Sequence, residues 1–168
     1  MKFYYKKNKE NIWFAVAVLV SIISYRVFCI TDTVLIGIIG SIATIYLSVI
    51  KLKVDGDNLF NELFKTFNER YDQRFNDLIN KQRIESKALE KEDKIVIIDY
   101  FNLCAEEYLW FTKKRIPEDV WYAWKIGIDR NLEILEINKL WHQEMKGDGA
   151  KSYYRITDAI KAQEMDTL

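Results

Sequence analysis

The sequence predicts an all-α protein in two parts: an N-terminal two-helix transmembrane hairpin, residues 1–53, and a cytosolic domain of about four helices, residues 54–168. Three observations lead to this prediction. Two long apolar runs near the N-terminus are separated by a very short connector, and the rest of the chain has the period of amphipathic helices. The chain also contains one proline and six glycines, too few for the frequent turns of an all-β sandwich.

The two apolar runs have the length of membrane spans. They cover residues 12–30 and residues 33–50, and the second contains no charged side chain. At 1.5 Å per residue each run reaches roughly 27–28 Å, close to the hydrocarbon thickness of a bilayer. Lysines lie beyond the outer end of both runs, so the positive-inside rule places both chain ends in the cytoplasm. Arg26 is expected to extend outward from the far end of the first span, toward Asp32.

Two other interpretations of these runs are weaker. A cleaved signal peptide would need a small-x-small cleavage site, and none follows the first run. Buried helices of a soluble protein rarely contain eighteen uncharged residues bounded by lysines. The spacing of Gly37 and Ser41 allows close helix packing, either inside one hairpin or between subunits.

The charge differs between the two parts, although the whole chain has 25 basic and 25 acidic residues. Residues 1–53 contain seven basic and two acidic side chains, giving +5, and residues 54–168 therefore carry −5. The second part would repel a long nucleic acid, so none is expected as a partner. The apolar share of 49% excludes a disordered chain.

The helices of the second part are predicted from apolar spacing and from breaking residues. Val54 to Asp57 is expected to interrupt the second apolar helix, with Asp57 or Asn58 capping a new one. Pro117 suits the first turn of a helix, and Gly147 and Gly149 suit a stop. The predicted helices are Phe60 to about Lys87, Lys94 to Phe111, Glu118 toward Met145 with a bend near Gly127, and about Tyr153 to Glu164.

The sequence gives little support for catalysis, and we expect no enzyme, no metal and no cofactor. It contains one histidine, no glycine-rich phosphate loop and no nucleophile elbow. All-helical ribonucleases of the HEPN type place a histidine four to six residues after an arginine, whereas His142 follows Arg130 by twelve. Cys29 and Cys104 lie far apart in different predicted helices, which fits a reducing cytosol without a disulfide.

Cations and tryptophans are the candidates for ligand binding. Three cations precede a predicted helix N-terminus, where an anion would be stabilised, and others flank the apolar stripe of the first cytosolic helix or follow a tyrosine pair. The candidate ligand-binding residues are Lys113, Lys114, Arg115, Arg70, Arg74, Trp121 and Arg155. The alternatives are a basic surface loop, solvated edges of the stripe and tryptophans that pack in a core.

Several segments together resemble a group of small bacterial membrane proteins that place two spans before a helical cytosolic domain. These segments are Arg70-Tyr71-Asp72, residues 99–110, Ile116 to Trp121, and Ser152-Tyr153-Tyr154. In size and layout the chain also resembles the membrane effectors of type III CRISPR defence that bind cyclic tetra-adenylate. This second resemblance carries no aligned motif, so no binding residue is transferred from it.

The second resemblance implies an antiviral defence effector of the bacterial inner membrane that senses a cyclic oligoadenylate and perturbs the bilayer. It also implies a homo-oligomer, with a tetramer favoured, because four subunits would offer four copies of each cation to a ring with four phosphates. The rival hypothesis is a membrane-tethered interaction module that recruits or regulates a partner and binds no small ligand.

Overall fold

The computed structural model describes residues 9–28 and 31–160, and this part of the chain is helical without any β-strand. The all-α class is therefore confirmed. The chain divides into two compact units, Met1–Asn58 and Leu59–Leu168. The sequence had predicted the boundary between residues 53 and 54.

The first unit contains helix α1, Lys9–Phe28, and the first part of helix α2, Asp32–Arg70. By length and composition, both helices are apolar enough to cross a membrane. Within this unit the Tyr46 hydroxyl donates a 2.8 Å hydrogen bond to the Asn11 side-chain oxygen. The Tyr46 ring lies 4.5 Å from the ring of Phe14. At the other end, Asp32 accepts a 2.6 Å hydrogen bond from the Tyr25 hydroxyl.

Gly37 and Gly40 of α2 do not pack against α1. A Cβ added at Gly37 or at Gly40 would meet no described atom within 4 Å. The hydroxyls of Ser41 and Thr44 donate to the carbonyls of these two glycines, four residues earlier in the same helix. Packing inside the hairpin therefore does not explain the two glycines, and packing between subunits stays a prediction.

Helix α2 continues through the expected break at Val54 to Asp57 and ends at Arg70, so that predicted boundary is wrong. A single glycine in a helix interior costs only about 1 kcal/mol, which is too little to end a 39-residue helix. A π-helical turn, Tyr71–Phe75, follows, and helix α3, Asn76–Glu85, ends where Ser86 takes a positive φ of 48°.

Three further helices complete the main body of the second unit: α4, Lys91–Thr112, α5, Glu118–Leu132, and α6, Leu135–Glu144. The predicted third helix bends at Glu133 and Ile134, not near Gly127. Ile134 is buried there, and the Asn138 side chain donates a 2.9 Å hydrogen bond to the Leu132 carbonyl. These contacts stabilise the break, whereas Gly127 remains helical.

The last described segment differs from its prediction. It contains a short helix α7, Gly149–Ser152, and a 3₁₀ turn, Ile156–Asp158, in place of a helix beginning at Tyr153. Tyr154 and Arg155 have φ values of 52° and 57°, which interrupt a right-handed helix. Gly147 has a φ of 62° and confirms the predicted stop after α6. The rest of the predicted final helix, after residue 160, lies outside the described residues.

The core of the second unit forms around α4, which contacts the π-helical turn, α5, α6 and the 3₁₀ turn. Phe101 is fully buried, and its ring meets the Trp141 ring edge-on at 4.9 Å. The largest fully buried side chains are Phe75, Ile79, Ile97, Phe101, Leu103, Cys104, Leu132, Ile137 and Ile156. This core places α4 in the middle of the unit. Side chains of α4 also line a cavity, as described below.

Candidate functional site

The basic loop, Lys113 to Arg115, connects α4 to α5 and is exposed to solvent. Buried Ile116 anchors the loop, and Lys114 has a positive φ of 57°. The Lys113 ammonium lies 5.3 Å from the centre of the Trp110 ring, a cation–π distance. No ion pair within the described part of the chain involves these three cations.

The N-terminus of α5 is occupied by acidic residues. Its first turn contains Glu118 and Asp119, and the Asp119 carboxylate accepts a 3.0 Å hydrogen bond from the Val120 backbone amide. Carboxylates at a helix N-terminus already satisfy its free amides and its dipole. The backbone amides that the sequence had suggested for an anion are therefore partly occupied.

Arg70 and Arg74 face carboxylates of α4. An Arg70 nitrogen lies 2.6 Å from a Glu106 oxygen, and Arg74 forms an ion pair with Asp99. The Arg74 guanidinium also lies 5.8 Å from the centre of the Phe75 ring. Both arginines thus have carboxylate partners, and a ligand at either one would compete with an existing ion pair.

Trp121 is a core residue. It is 5% exposed, and its ring lies 5.2 Å from the Phe111 ring and 5.5 Å from the Tyr108 ring. Burial of the indole leaves no open ring face for a ligand, so the alternative given for Trp121, a tryptophan packed in the core, fits the structure. The sequence could not separate these two roles, because both favour an aromatic residue.

Arg155 is exposed beside the 3₁₀ turn and follows Tyr153, whose hydroxyl donates a 3.2 Å hydrogen bond to Glu144. Burial, together with the Glu144 carboxylate, raises the pKa of Tyr153 to about 12. None of the seven candidate residues lines a cavity described below. The structure therefore does not gather them into one pocket.

A polar cavity, which we call the arginine pocket, is lined by residues that the sequence did not indicate as binding residues. Its volume is about 730 Å³, and both Arg83 and Arg130 line it. Arg83 donates to the Asn131 side-chain oxygen at 2.7 Å and to the Asn80 oxygen at 3.0 Å. The complete lining is Tyr71, Arg83, Ser86, Gly127, Arg130, Asn131, Glu133, Ile134 and Leu135.

A second cavity, the aromatic cavity, lies between α2, the π-helical turn, α4 and α5 and has a volume of about 230 Å³. Glu107 lines it and is 8% exposed. Burial raises the pKa of Glu107, Arg70 lowers it and the neighbouring Glu106 raises it, and the three effects together bring it to about 8. The full lining is Phe67, Asn68, Tyr71, Tyr100, Glu107, Ala123, Trp124, Gly127, Ile128 and Asn131.

The two cavities share Asn131, a buried residue of α5. Its side-chain nitrogen donates a 2.8 Å hydrogen bond to the Tyr100 hydroxyl, while its oxygen accepts the bond from Arg83. Asn131 thus fixes a tyrosine of the aromatic cavity and an arginine of the arginine pocket. The sequence marks Glu106-Glu107 as a pair of adjacent carboxylates and predicts a solvated face, which is wrong for Glu107 because it is buried. Arg83 and Asn131 carry no such mark, because each resembles an ordinary polar position of an amphipathic helix.

Among the residues that the structure describes, no group of three His, Cys, Asp or Glu side chains is placed to hold a metal ion. Comparisons with family models, with curated proteins and with solved structures find no match to this chain. The chemistry of the two cavities and of the two apolar helices is therefore the basis for the function proposed next.

Proposed function

We propose that the protein is a two-span membrane protein of the bacterial inner membrane, with both chain ends in the cytoplasm and a four-helix cytosolic domain. The apolar side chains of α1 and of the first part of α2 support the two spans because they are largely exposed: Trp13 is 59% and Ile36 is 70% exposed. Lys51 and Lys53 follow the second apolar run and favour a cytoplasmic end.

Internal hydrogen bonds suit these two helices to a bilayer. Hydroxyl side chains there donate to the carbonyl four residues earlier, as Ser21 does to Ala17 and Ser48 does to Thr44, both at 2.8 Å. In hydrocarbon no water is present to satisfy a hydroxyl, so such bonds within one helix avoid an unsatisfied polar group.

We further propose that the second unit senses an anionic second messenger by binding rather than by catalysis. The observation that carries this proposal is the arginine pocket, which brings Arg83 and Arg130 to one open polar cavity. Guanidinium groups bind phosphate oxygens through paired N–H donors. The basic loop supplies exposed cations without carboxylate partners among the described residues and is a second anion-binding surface.

The ligand that we propose is a cyclic oligoadenylate, with cyclic tetra-adenylate as the first candidate. The similarity in layout to membrane effectors of type III CRISPR defence supplies this ligand class. A small ring needs only one or two cations from each subunit of a tetramer, so it can bind a domain of net charge −5. In this proposal the bound ligand changes the subunit arrangement and perturbs the inner membrane as an antiviral response.

The proposal is tested by measuring the binding of cyclic tri-, tetra- and hexa-adenylate to the full chain in maltoside micelles. We expect one ring size to bind, and we expect the double variant Arg83→Gln/Arg130→Gln to weaken that binding at least roughly tenfold. Lys94→Gln on exposed α4 surface is the matched control and should bind normally. If no cyclic oligoadenylate binds the wild type, the messenger role is wrong.

A charge reversal of Lys113, Lys114 and Arg115 shows which of the two anion-binding surfaces binds the ligand. Weakened binding in this triple variant, with normal binding in the Arg83→Gln/Arg130→Gln variant, would move the site to the basic loop. Circular dichroism of each variant shows whether the helical fold is retained, so a loss of binding can be assigned to the lost cations.

A second function, a membrane-tethered interaction module, is favoured by exposed apolar side chains on α5. Tyr122 is 65% and Ile126 is 43% exposed, and their spacing of four residues places them on one helix face. Such a face can bind a partner protein without any small ligand. In that case a crosslinker at Tyr122 would capture a partner protein in cells, and the purified chain would bind no cyclic oligoadenylate.

A further inference from the structure

Glu107 is a buried carboxyl group without a partner of its own. It is 8% exposed, and no hydrogen bond among the described residues involves its side chain. The nearby Arg70 guanidinium bonds to the neighbouring Glu106 at 2.6 Å. The Glu107 oxygens are not among the fully buried polar atoms that lack a hydrogen-bond partner, so they keep contact with the cavity that Glu107 lines. A carboxyl group in such a place is available to a ligand, because no donor or paired cation of the protein occupies it.

The surroundings of Glu107 have the chemistry that binds organic cations. Four aromatic side chains, Phe67, Tyr71, Tyr100 and Trp124, line the same cavity. The negative face of an aromatic ring attracts ammonium groups, most strongly where water is excluded. A single carboxyl group among aromatic walls supplies both the counter-charge and the apolar contact surface of such a site.

We propose that the aromatic cavity binds a small organic cation of the alkylammonium class, with Glu107 as its counter-ion and the four aromatic side chains as its walls. The cavity volume of about 230 Å³ is sufficient for a trimethylammonium group with a short substituent. This site is separate from the anion-binding surfaces of the proposed function and does not depend on a nucleotide ligand.

The remaining polar groups of the cavity disfavour a metal ion. Asn68 donates a 2.6 Å hydrogen bond to the Phe64 carbonyl, and both ends of the Asn131 amide are bonded to Tyr100 and Arg83. A hard cation such as Ca²⁺ requires six to eight oxygen ligands. One carboxyl group and two largely engaged amides do not provide that number, whereas an alkylammonium needs few polar contacts.

The charged and titratable neighbours of Glu107 determine how binding depends on pH. Arg70 of α2 lowers its pKa and Glu106 of α4 raises it, while burial has the largest effect and brings the pKa to about 8. Tyr100 and Cys104 of α4 also interact with Glu107, Tyr71 of the π-helical turn lines the cavity, and α5 contributes only residues that do not titrate.

A bound cation favours the ionised carboxylate, so binding below pH 8 releases a proton from Glu107. The apparent association constant is that of the ionised site multiplied by the fraction of Glu107 that is ionised before the cation binds. Affinity should therefore rise with pH and level off above about 8. From pH 6.5 to pH 8.5 the increase should be roughly twentyfold.

The test is isothermal titration calorimetry of choline and tetramethylammonium into the full chain in maltoside micelles, without phosphocholine detergents or lipids. The matched control ligand is 3,3-dimethyl-1-butanol, which replaces the quaternary nitrogen of choline with carbon and is neutral. We expect choline to bind with the pH dependence given above and the neutral isostere to bind at least roughly tenfold more weakly.

Two variants test the residues. Glu107→Gln keeps the side-chain size and should lose choline binding together with its pH dependence, and Trp124→Ala should weaken binding at all pH values. Glu62→Gln, an exposed acid of α2, is the matched control and should bind as the wild type does. The cation site is refuted if choline fails to bind at about 10 mM, if the isostere binds equally well, or if Glu107→Gln binds choline normally.

Discussion

Arg70 bonds to Glu106 at 2.6 Å and leaves the adjacent Glu107 without a cation of its own. Successive residues of an α-helix point about 100° apart, so one arginine on α2 does not pair equally with both carboxylates. Glu106 remains half-buried at the edge, and Glu107 faces the aromatic cavity. This difference between two neighbouring acids is the basis of the first prediction.

Glu107 should make the free energy of unfolding fall as pH rises. The pKa of Glu107 is about 8 in the folded protein and close to 4.3 in an unfolded chain, so between these values the folded state binds more protons. The contribution of Glu107 to stability is then fully present below about pH 4, falls as the pH rises to about 8 and is level above it, with a total loss on the order of 5 kcal/mol at most.

Glu107→Gln should remove this pH dependence and be more stable than the wild type at pH 8. Denaturant unfolding in maltoside, followed by circular dichroism between pH 5 and pH 9, measures it. Glu62→Gln serves as the control and should keep the slope of the wild type. Parallel stability curves for wild type and Glu107→Gln would show that Glu107 is already ionised in the folded state.

Cys104 should resist thiol reagents while the domain is folded. Its side chain is 1% exposed, and burial raises the pKa of its thiol well above the usual value, which leaves little reactive thiolate. In a Cys29→Ser background, maleimide labelling at pH 8 should be roughly hundredfold slower than in the denatured chain. Mass spectrometry of timed samples measures the rate, and rapid labelling of the folded chain would contradict the burial of Cys104.

The proposed topology predicts the side of the membrane for three positions. Reporter fusions at residues 8 and 60 should show cytoplasmic activity, and a fusion at residue 32 should show external activity, because lysines flank the outer ends of both apolar runs. An external signal from residue 60 would contradict the hairpin.

The continuity of α2 predicts how ligand binding reaches the membrane. Residues 51–58 are helical, so a flexible Gly/Ser stretch inserted after Gly56 should break this helix, leave ligand affinity nearly unchanged and remove any effect on the membrane. A seven-residue insertion of alanine-rich helix, which adds about two turns, is the control and should retain the response. Fluorophores in the second apolar run report the movement.

An insertion variant that responds to ligand as the wild type does would show that α1 and the first part of α2 are only an anchor. Because affinity and membrane response are measured separately, this result would leave ligand binding intact and reject only the mechanical link through α2.

The break inside the predicted third helix shows that local sequence patterns do not predict where this helix ends. Gly127 has the weakest helix propensity in that segment, yet it stays helical, and the chain turns at Glu133 and Ile134. The turn is stabilised by burial of Ile134 and by the bond from Asn138 to Leu132, which depend on packing. The same limit explains why α2 runs through Gly56.

The sequence by itself determined the helical class, the two apolar helices, the cores of α4 and α5 and the stop at Gly147. These features follow from apolar periodicity, from uninterrupted apolar length and from residues with restricted backbones, all of which act within a few residues. The start of α5 at Glu118, directly after Pro117, follows from the same local chemistry.

Only the tertiary structure decided which polar side chains form sites. Arg70 meets Glu106 across 36 positions and Arg83 meets Asn131 across 48, so neither pair leaves a local signature. Trp121 lies in the core and Glu107 lines a cavity because of the way in which α2 and α5 pack against α4. A helix sequence specifies which residues share a face, but the neighbouring helices decide which residues of that face lose contact with water.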